Sequence, residues 1–157
     1  MSSRSKGSLL VLGQFALIGV LIVLPAGDLA WRGNPFTELF AQLSFLFGLV
    51  VMVWAGAVLG RSLTAHPMPN QRAELRTTGP YGLARHPIYS GLIAVALGTA
   101  VGAASWGHIV VAISLVGLLA YKARFEESLL VDRFGENYVE YGRQVGRFLP
   151  WFGRLTA

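Results

Sequence analysis

Four apolar runs limit what this chain can fold into. They cover residues 9–24, 39–60, 88–104 and 106–121. Crossing a bilayer as a helix takes about 20 mainly apolar residues, with about 17 as the lower limit. The second run meets that length outright, the first and third meet it with their flanks, and the fourth is marginal. A soluble core of 157 residues could not hide so much continuous apolar surface. Charge agrees: only 13% of the residues are Asp, Glu, Lys or Arg, about half the share in a soluble domain. The expected fold class is therefore all-α integral membrane, one domain over 1–157, with four transmembrane helices near 8–26, 37–60, 87–104 and 106–123.

The N-terminal run also has the basic start, apolar middle and small-residue end of a signal peptide. Its length favours a retained span over a cleaved leader. With no cysteine, disulfide and thiolate chemistry fall away.

The net charge of +5 is placed for a membrane and not for nucleic acid. Arg4 and Lys6 precede the first span, and Arg61, Arg72, Arg76 and Arg85 lie between the second and third. Lys122, Arg124, Arg133, Arg143, Arg147 and Arg154 follow the fourth, and only Arg32 falls in a loop of the other parity. Twelve against one is a positive-inside signal. It predicts cytoplasmic termini, a cytoplasmic loop over 61–86, and a basic face against the lipids of the cell inner membrane.

Between the spans, Gly48, Gly56 and Gly60, then Gly91, Gly98 and Gly102, offer faces for close helix packing. Gln42 and Ser44 either bond across helices or, the preferred reading, simply sit at the interface, and Trp106 and His108 are read as headgroup-level residues at the outer surface. The loop over 61–86, with prolines at 67, 69 and 80, is long enough to carry function. In the tail, Leu130, Phe134, Tyr138, Tyr141 and Val145 form an apolar-aromatic stripe at helical spacing. Gly135 and Gly142 should break it into pieces. Such a tail either lies on the bilayer or folds back over the loop and roofs a site.

Two clusters could carry chemistry. In Arg85-His86-Pro87, proline suits the first position of a helix and pushes His86 towards extended backbone. The helix start offers unpaired N–H groups, Arg85 adds a charge, and Gly91 would let a ligand near the backbone. The plainer reading makes both residues headgroup anchors. The second cluster is Glu126-Glu127, close to where the headgroups begin. It would be either charge-paired with Lys122, Arg124 and Arg133 or functional. If the tail folds back, the two clusters meet on one side. His66, His86 and His108 are scattered, so no metal set is expected, and no phosphate-binding glycine loop is present.

"GPYGLARHPIYSG", at 79–91, followed by "EESLLVDRFGENYVEYGRQVGRFLP", at 126–150, resembles the isoprenylcysteine carboxyl methyltransferase family. That group of membrane enzymes also includes the phospholipid methyltransferases. The resemblance covers about 77–150 and implies S-adenosylmethionine as methyl donor, held in a cytoplasmic pocket closed by the tail, and a lipophilic acceptor reaching it from the bilayer. It implies that Tyr81, Arg85, His86, Pro87, Tyr89 and Gly91 line the cofactor pocket with Glu127, Tyr138 and Tyr141. It assigns Glu126, Glu127 and Arg124 to the reacting centre and Arg147 to the substrate. The chain departs from the family pattern at Gly82, often a basic residue, and at Gly146, often proline. Eukaryotic prenylcysteine enzymes place an arginine a turn before the functional glutamate, for which Lys122 and Arg124 are the candidates here.

A carboxylate acceptor needs only a cation to orient it, whereas an amine, phenol or thiol must lose a proton, which Glu126, Glu127 or His86 could take. Two other readings stand beside methyl transfer. Membrane sterol reductases resemble the chain in an HPxYxG-like entrance but use NADPH and larger bundles. A non-enzymatic membrane scaffold would need neither charged cluster.

Overall fold

The computed structural model describes residues 3–60 and 75–155. Among the described residues five helices follow one another: α1 (Ser3–Val23), α2 (Pro35–Leu59), α3 (Pro87–Ala103), α4 (Trp106–Phe134) and α5 (Glu136–Gln144), with a 3₁₀ turn, Gly79–Gly82, before α3. Residues 61–74, which hold most of the expected 61–86 loop together with His66, Pro67 and Pro69, lie outside the described residues.

Among the described residues three helices, α1, α2 and α4, are long and apolar enough to cross a membrane, and α3 is a shorter apolar one of 17 residues. α2 exposes Phe36, Phe40, Leu43, Leu46, Phe47 and Val50 along its length. Water would not tolerate such a face, and hydrocarbon does. The protein is an integral membrane protein.

The helix ends follow local chemistry. Asn34 caps α2, its side chain accepting from the Phe36 N–H at 2.9 Å, and Pro35 takes the first turn. Pro87 likewise starts α3. Ala104 and Ser105 turn α3 directly into α4, and the loop after α1 closes that end through Gly27 and Leu29, whose N–H groups reach the carbonyls of Ala103 and Ala104. Two boundaries differ from expectation. α1 begins at Ser3, and α4 continues past 123 to Phe134, so the first part of the charged tail is helix. Nothing local stops α4 until Gly135, at φ 56°.

α2 packs on α3 through missing side chains. A Cβ on Gly48 would strike the Gly91 carbonyl, and one on Gly91 would lie 2.6 Å from the Gly48 carbonyl. A Cβ on Gly98 would lie 2.6 Å from the Ala41 carbonyl. Ser44 does more than sit at this interface, since its hydroxyl donates to the Ala94 carbonyl at 2.8 Å. The core proper, Leu21, Leu92, Ala96, Ala100, Ala112, Leu115 and Leu119, joins α1, α3 and α4. His108, the third residue of α4, is buried within the protein.

Candidate active site

The charged clusters meet at the end of the bundle where α3 begins. The tail is what joins them. Gly135 ends α4 and redirects the chain into α5, whose Tyr138 and Tyr141 turn inward and pack edge to face at 5.8 Å. Tyr141 donates to the Tyr81 carbonyl at 2.6 Å, which fastens α5 to the 3₁₀ turn. Gly142 does not break α5. It makes room for Leu155, which a Cβ there would strike.

Past α5 the backbone runs beside the approach to α3. The N–H groups of Arg85 and His86 donate to the carbonyls of Gly146 and Arg147 at 2.8 and 3.0 Å. The chain then doubles back, and a Cβ on Gly146 would collide with the Leu149 carbonyl. Ser90 adds a bond to the Phe148 carbonyl at 2.6 Å. The tail thus folds back over the entrance to α3.

Arg85 is the hub. Its Nε and Nη2 donate to Glu127 Oε1 at 2.9 and 2.7 Å, and Nη2 also to the Gly153 carbonyl at 3.0 Å. Nη1 donates to the carbonyls of Gly142 at 3.1 Å and Val145 at 2.5 Å. A guanidinium has five N–H donors, and all five are spent on the protein. Arg147 grips the same carboxylate from the other side, Nε and Nη2 reaching Glu127 Oε2 at 3.0 and 2.7 Å. Its Nη1 carries no such bond among the described residues.

The two adjacent glutamates therefore differ. Glu127, 6% exposed in its side chain, is neutralised by two arginines. Glu126, 15% exposed, meets no guanidinium among the described residues. It accepts the Tyr89 hydroxyl at 2.5 Å and faces His86 Nδ1 at 3.5 Å.

His86 lies between both carboxylates, stacked parallel on Tyr89 at 5.4 Å and tilted against Phe148 at 6.2 Å. Its Nε2 is 3.3 Å from Glu127 Oε1, near enough for charge attraction. The angle is wrong for a hydrogen bond, and the atom is buried without one. Burial opposes the imidazolium, but Glu126 and Glu127 outweigh it and raise the His86 pKa above its ordinary 6.5. Burial pushes Tyr81 up to about 12 and Tyr138 and Tyr141 upward as well, so all three stay neutral hydroxyls. The Tyr138 hydroxyl is also buried without a hydrogen bond; it lies beside Arg85, whose donors point elsewhere.

Not every expected residue joins the cluster. Arg124 is exposed on α4 and makes no ion pair with Glu126 or Glu127 among the described residues. Gly91 faces α2, so the close approach it permits is between helices. An apolar groove of about 410 Å³ between α2 and α3, lined by Ala41, Gln42, Phe45, Leu46, Gly98 and Thr99, lies towards the other end of the bundle. Conversely, the site contains Ser90, Phe148 and the carbonyls of Gly142, Val145 and Gly153. No motif marks these last three, because any residue has a carbonyl. Gln14 and Lys122 are a different matter: one is a polar residue within an apolar run and the other stands directly after one, a signal legible in the sequence.

These features define a helical membrane protein with a buried carboxylate, guanidinium and imidazole cluster under a returning tail. Residues 36–137 match the phospholipid methyltransferase family, and the chain belongs to it. Among its relatives is a methanethiol S-methyltransferase of Mycobacterium tuberculosis, 28% identical over 149 residues, covering 95% of this chain and 45% of the relative. Another is protein-S-isoprenylcysteine O-methyltransferase B of Arabidopsis thaliana, 32% identical over 116 residues, covering 71% of this chain and 58% of the relative. The chain thus spans about half the length of these relatives. The solved structure of the eukaryotic intramembrane Ras methyltransferase ICMT (isoprenylcysteine carboxyl methyltransferase) shares the fold. Its TM-score is 0.71 at 18% identity, over 99% of this chain and 56% of that one.

Proposed function

We propose that the chain is a membrane methyltransferase that takes S-adenosylmethionine as donor and acts on a lipophilic acceptor arriving from the bilayer. The observation that carries this reading is the inequality of the two glutamates. Glu127 is consumed in holding Arg85 and Arg147, while Glu126 keeps a partly exposed carboxylate free of guanidinium partners. A carboxylate so placed suits a cationic ligand.

The donor fits the residues present. It is a polar molecule with a sulfonium, an amino acid end and an adenosine end. The Tyr138 hydroxyl is buried without a hydrogen bond among the described residues, and His86 Nε2 has only a 3.3 Å contact with Glu127 Oε1. Orphaned buried groups cost stability unless something satisfies them. His86 Nε2 and Tyr138 would hydrogen-bond the ligand, Glu126 would face its positive charge, and Tyr89 and Phe148 would form its apolar wall. Arg85 would organise the site from behind, with Pro87 fixing the start of α3. Bound there, the donor supplies a methyl group already attached to a good leaving group.

What remains for the protein is orientation and exclusion of water. The tail supplies the second by covering the approach to α3. A carboxylate acceptor would be oriented by the Nη1 end of Arg147. A thiol or phenol acceptor would hand its proton to Glu126, whose carboxylate already receives one hydrogen bond from Tyr89. The relatives' names include both an S-methyltransferase and an O-methyltransferase, which suits a site with both resources.

The topology belongs to the same proposal. With four crossings, α3 the shortest, both termini and the cluster would lie on one side, the cytoplasmic side of the cell inner membrane. The Lys and Arg distribution supports that orientation, and so does the site's place at the end of the bundle where α1 begins.

Calorimetric titration of the detergent-purified protein with S-adenosylhomocysteine and with NADPH tests the reading. S-adenosylhomocysteine should bind, and Glu126→Gln should weaken its binding. Binding of neither compound, or preference for NADPH, would overturn the proposal.

A further inference from the structure

The reading above leaves a buried lysine unused. Lys122 is 1% exposed on α4, where the apolar run gives way to charged residues, and a buried ammonium without a partner is costly. Its Nζ donates to Gln14 Oε1 at 2.7 Å and stands over the Tyr89 ring, 5.0 Å from the centroid. Gln14 is the one residue between 9 and 24 whose side chain can hydrogen-bond. Its neighbour Gly13 lets α1 close on α4, since a Cβ there would lie 2.9 Å from Leu118 Cδ1. Lys122 stands one helical turn before Glu126 and so shares its face of α4. In this order, cation before anion, the pair does least for the helix itself. Its placement is better explained by what lies between the two residues, the Tyr89 ring.

We propose that Gln14 and Lys122 are positioning residues: Gln14 holds the Lys122 ammonium, the ammonium and His86 hold the Tyr89 ring, and the ring's hydroxyl fixes the Glu126 carboxylate. The motif-free first helix is then a working part of the site and more than a membrane anchor. This rests on the proposed function in taking Glu126 as the ligand-facing carboxylate. The chain of contacts itself runs from α1 through α4 and α3 and back to α4. A cation over a desolvated aromatic face is attracted to the ring and favours one orientation of it.

The test is a double-mutant cycle in the full-length protein. S-adenosylhomocysteine affinity is measured by calorimetry for wild type, Lys122→Met, Gln14→Leu, Tyr89→Leu and the Lys122→Met/Tyr89→Leu pair. Unfolding midpoints of the same proteins are measured without ligand. Lys122→Met and Gln14→Leu should each weaken binding about tenfold, a coupling of the size seen between contacting residues. In the Tyr89→Leu background the Lys122→Met effect should vanish, and Lys122→Arg should restore most of the loss. Unchanged affinity in the folded single variants, or fully additive losses, would overturn the proposal. Should Lys122→Met fail to fold, Gln14→Leu with Tyr89→Leu runs the same cycle. If wild type binds no S-adenosylhomocysteine, it is the proposed function that fails. The ligand-free midpoints then decide this inference, with additivity counting against it.

Discussion

Arg85→Met is the sharpest perturbation the structure offers. The wild-type side chain is fully buried and places all five donors, on Glu127 and on the carbonyls of Gly142, Val145 and Gly153. Methionine keeps much of the volume and removes every bond. The three carbonyls belong to the returning tail, while Glu127 belongs to α4, so the loss falls on the joint between them. Glu127 keeps Arg147 as a partner, which limits the damage. Breaking a buried pair costs about 3–5 kcal/mol, and the surviving pair argues for the lower end. About 3 kcal/mol corresponds to roughly a hundredfold rise in the open population of the tail. Limited trypsin digestion in detergent reads this directly, because Arg143 and Arg154 lie in the segment that would be released. Cleavage there should accelerate roughly a hundredfold, while cuts that need the transmembrane bundle to open should not. Arg85→Lys, with three donors, should fall between. Wild-type cleavage rates in Arg85→Met would refute the hub assignment, and a collapse of the whole bundle would refute the claim that its work is local to the tail.

Two further predictions concern the same architecture. Because His86 has a raised folded-state pKa, the stabilisation it contributes is complete below about pH 6.5 and is lost as pH climbs through the raised value. Unfolding midpoints of the ligand-free protein should fall over that range, and the slope should flatten in His86→Gln; parallel curves would contradict the charge placement. Gly48→Val should destabilise the α2–α3 contact by about 1–3 kcal/mol, since its Cβ meets the Gly91 carbonyl and Val95. Gly19→Ala, with open space around it, should be neutral or gain about 0.5–1 kcal/mol. Denaturation in mixed micelles compares the two, and equal behaviour would discredit the packing account.

The membrane class, the start of α3 at proline, and the two charged clusters were all legible before any coordinates. These depend on neighbours in the chain: twenty apolar residues cannot be hidden in water, and proline constrains the residue beside it. The interruption at Gly135 was legible for the same reason. The one at Gly142 was misread, because what decides it is Leu155, arriving from outside the helix. Of the two readings of Gly91, close helix packing holds and approach of a ligand does not, because α2 occupies that face.

The division of labour between Glu126 and Glu127 is the clearest case of what only the tertiary structure decided. The sequence shows two identical residues side by side among several cations. Which cation takes which carboxylate depends on Arg85 arriving from before α3, Arg147 from beyond α5 and Lys122 from a turn earlier in α4. A difference of one residue on a helix is a rotation of about 100°, following from 3.6 residues per turn. That rotation carries Glu127 into the arginines and leaves Glu126 with Tyr89 and His86. Hydropathy is a property of a segment and survives any arrangement of the others. An ion pair is a property of positions in space, and here those positions are set by the tail.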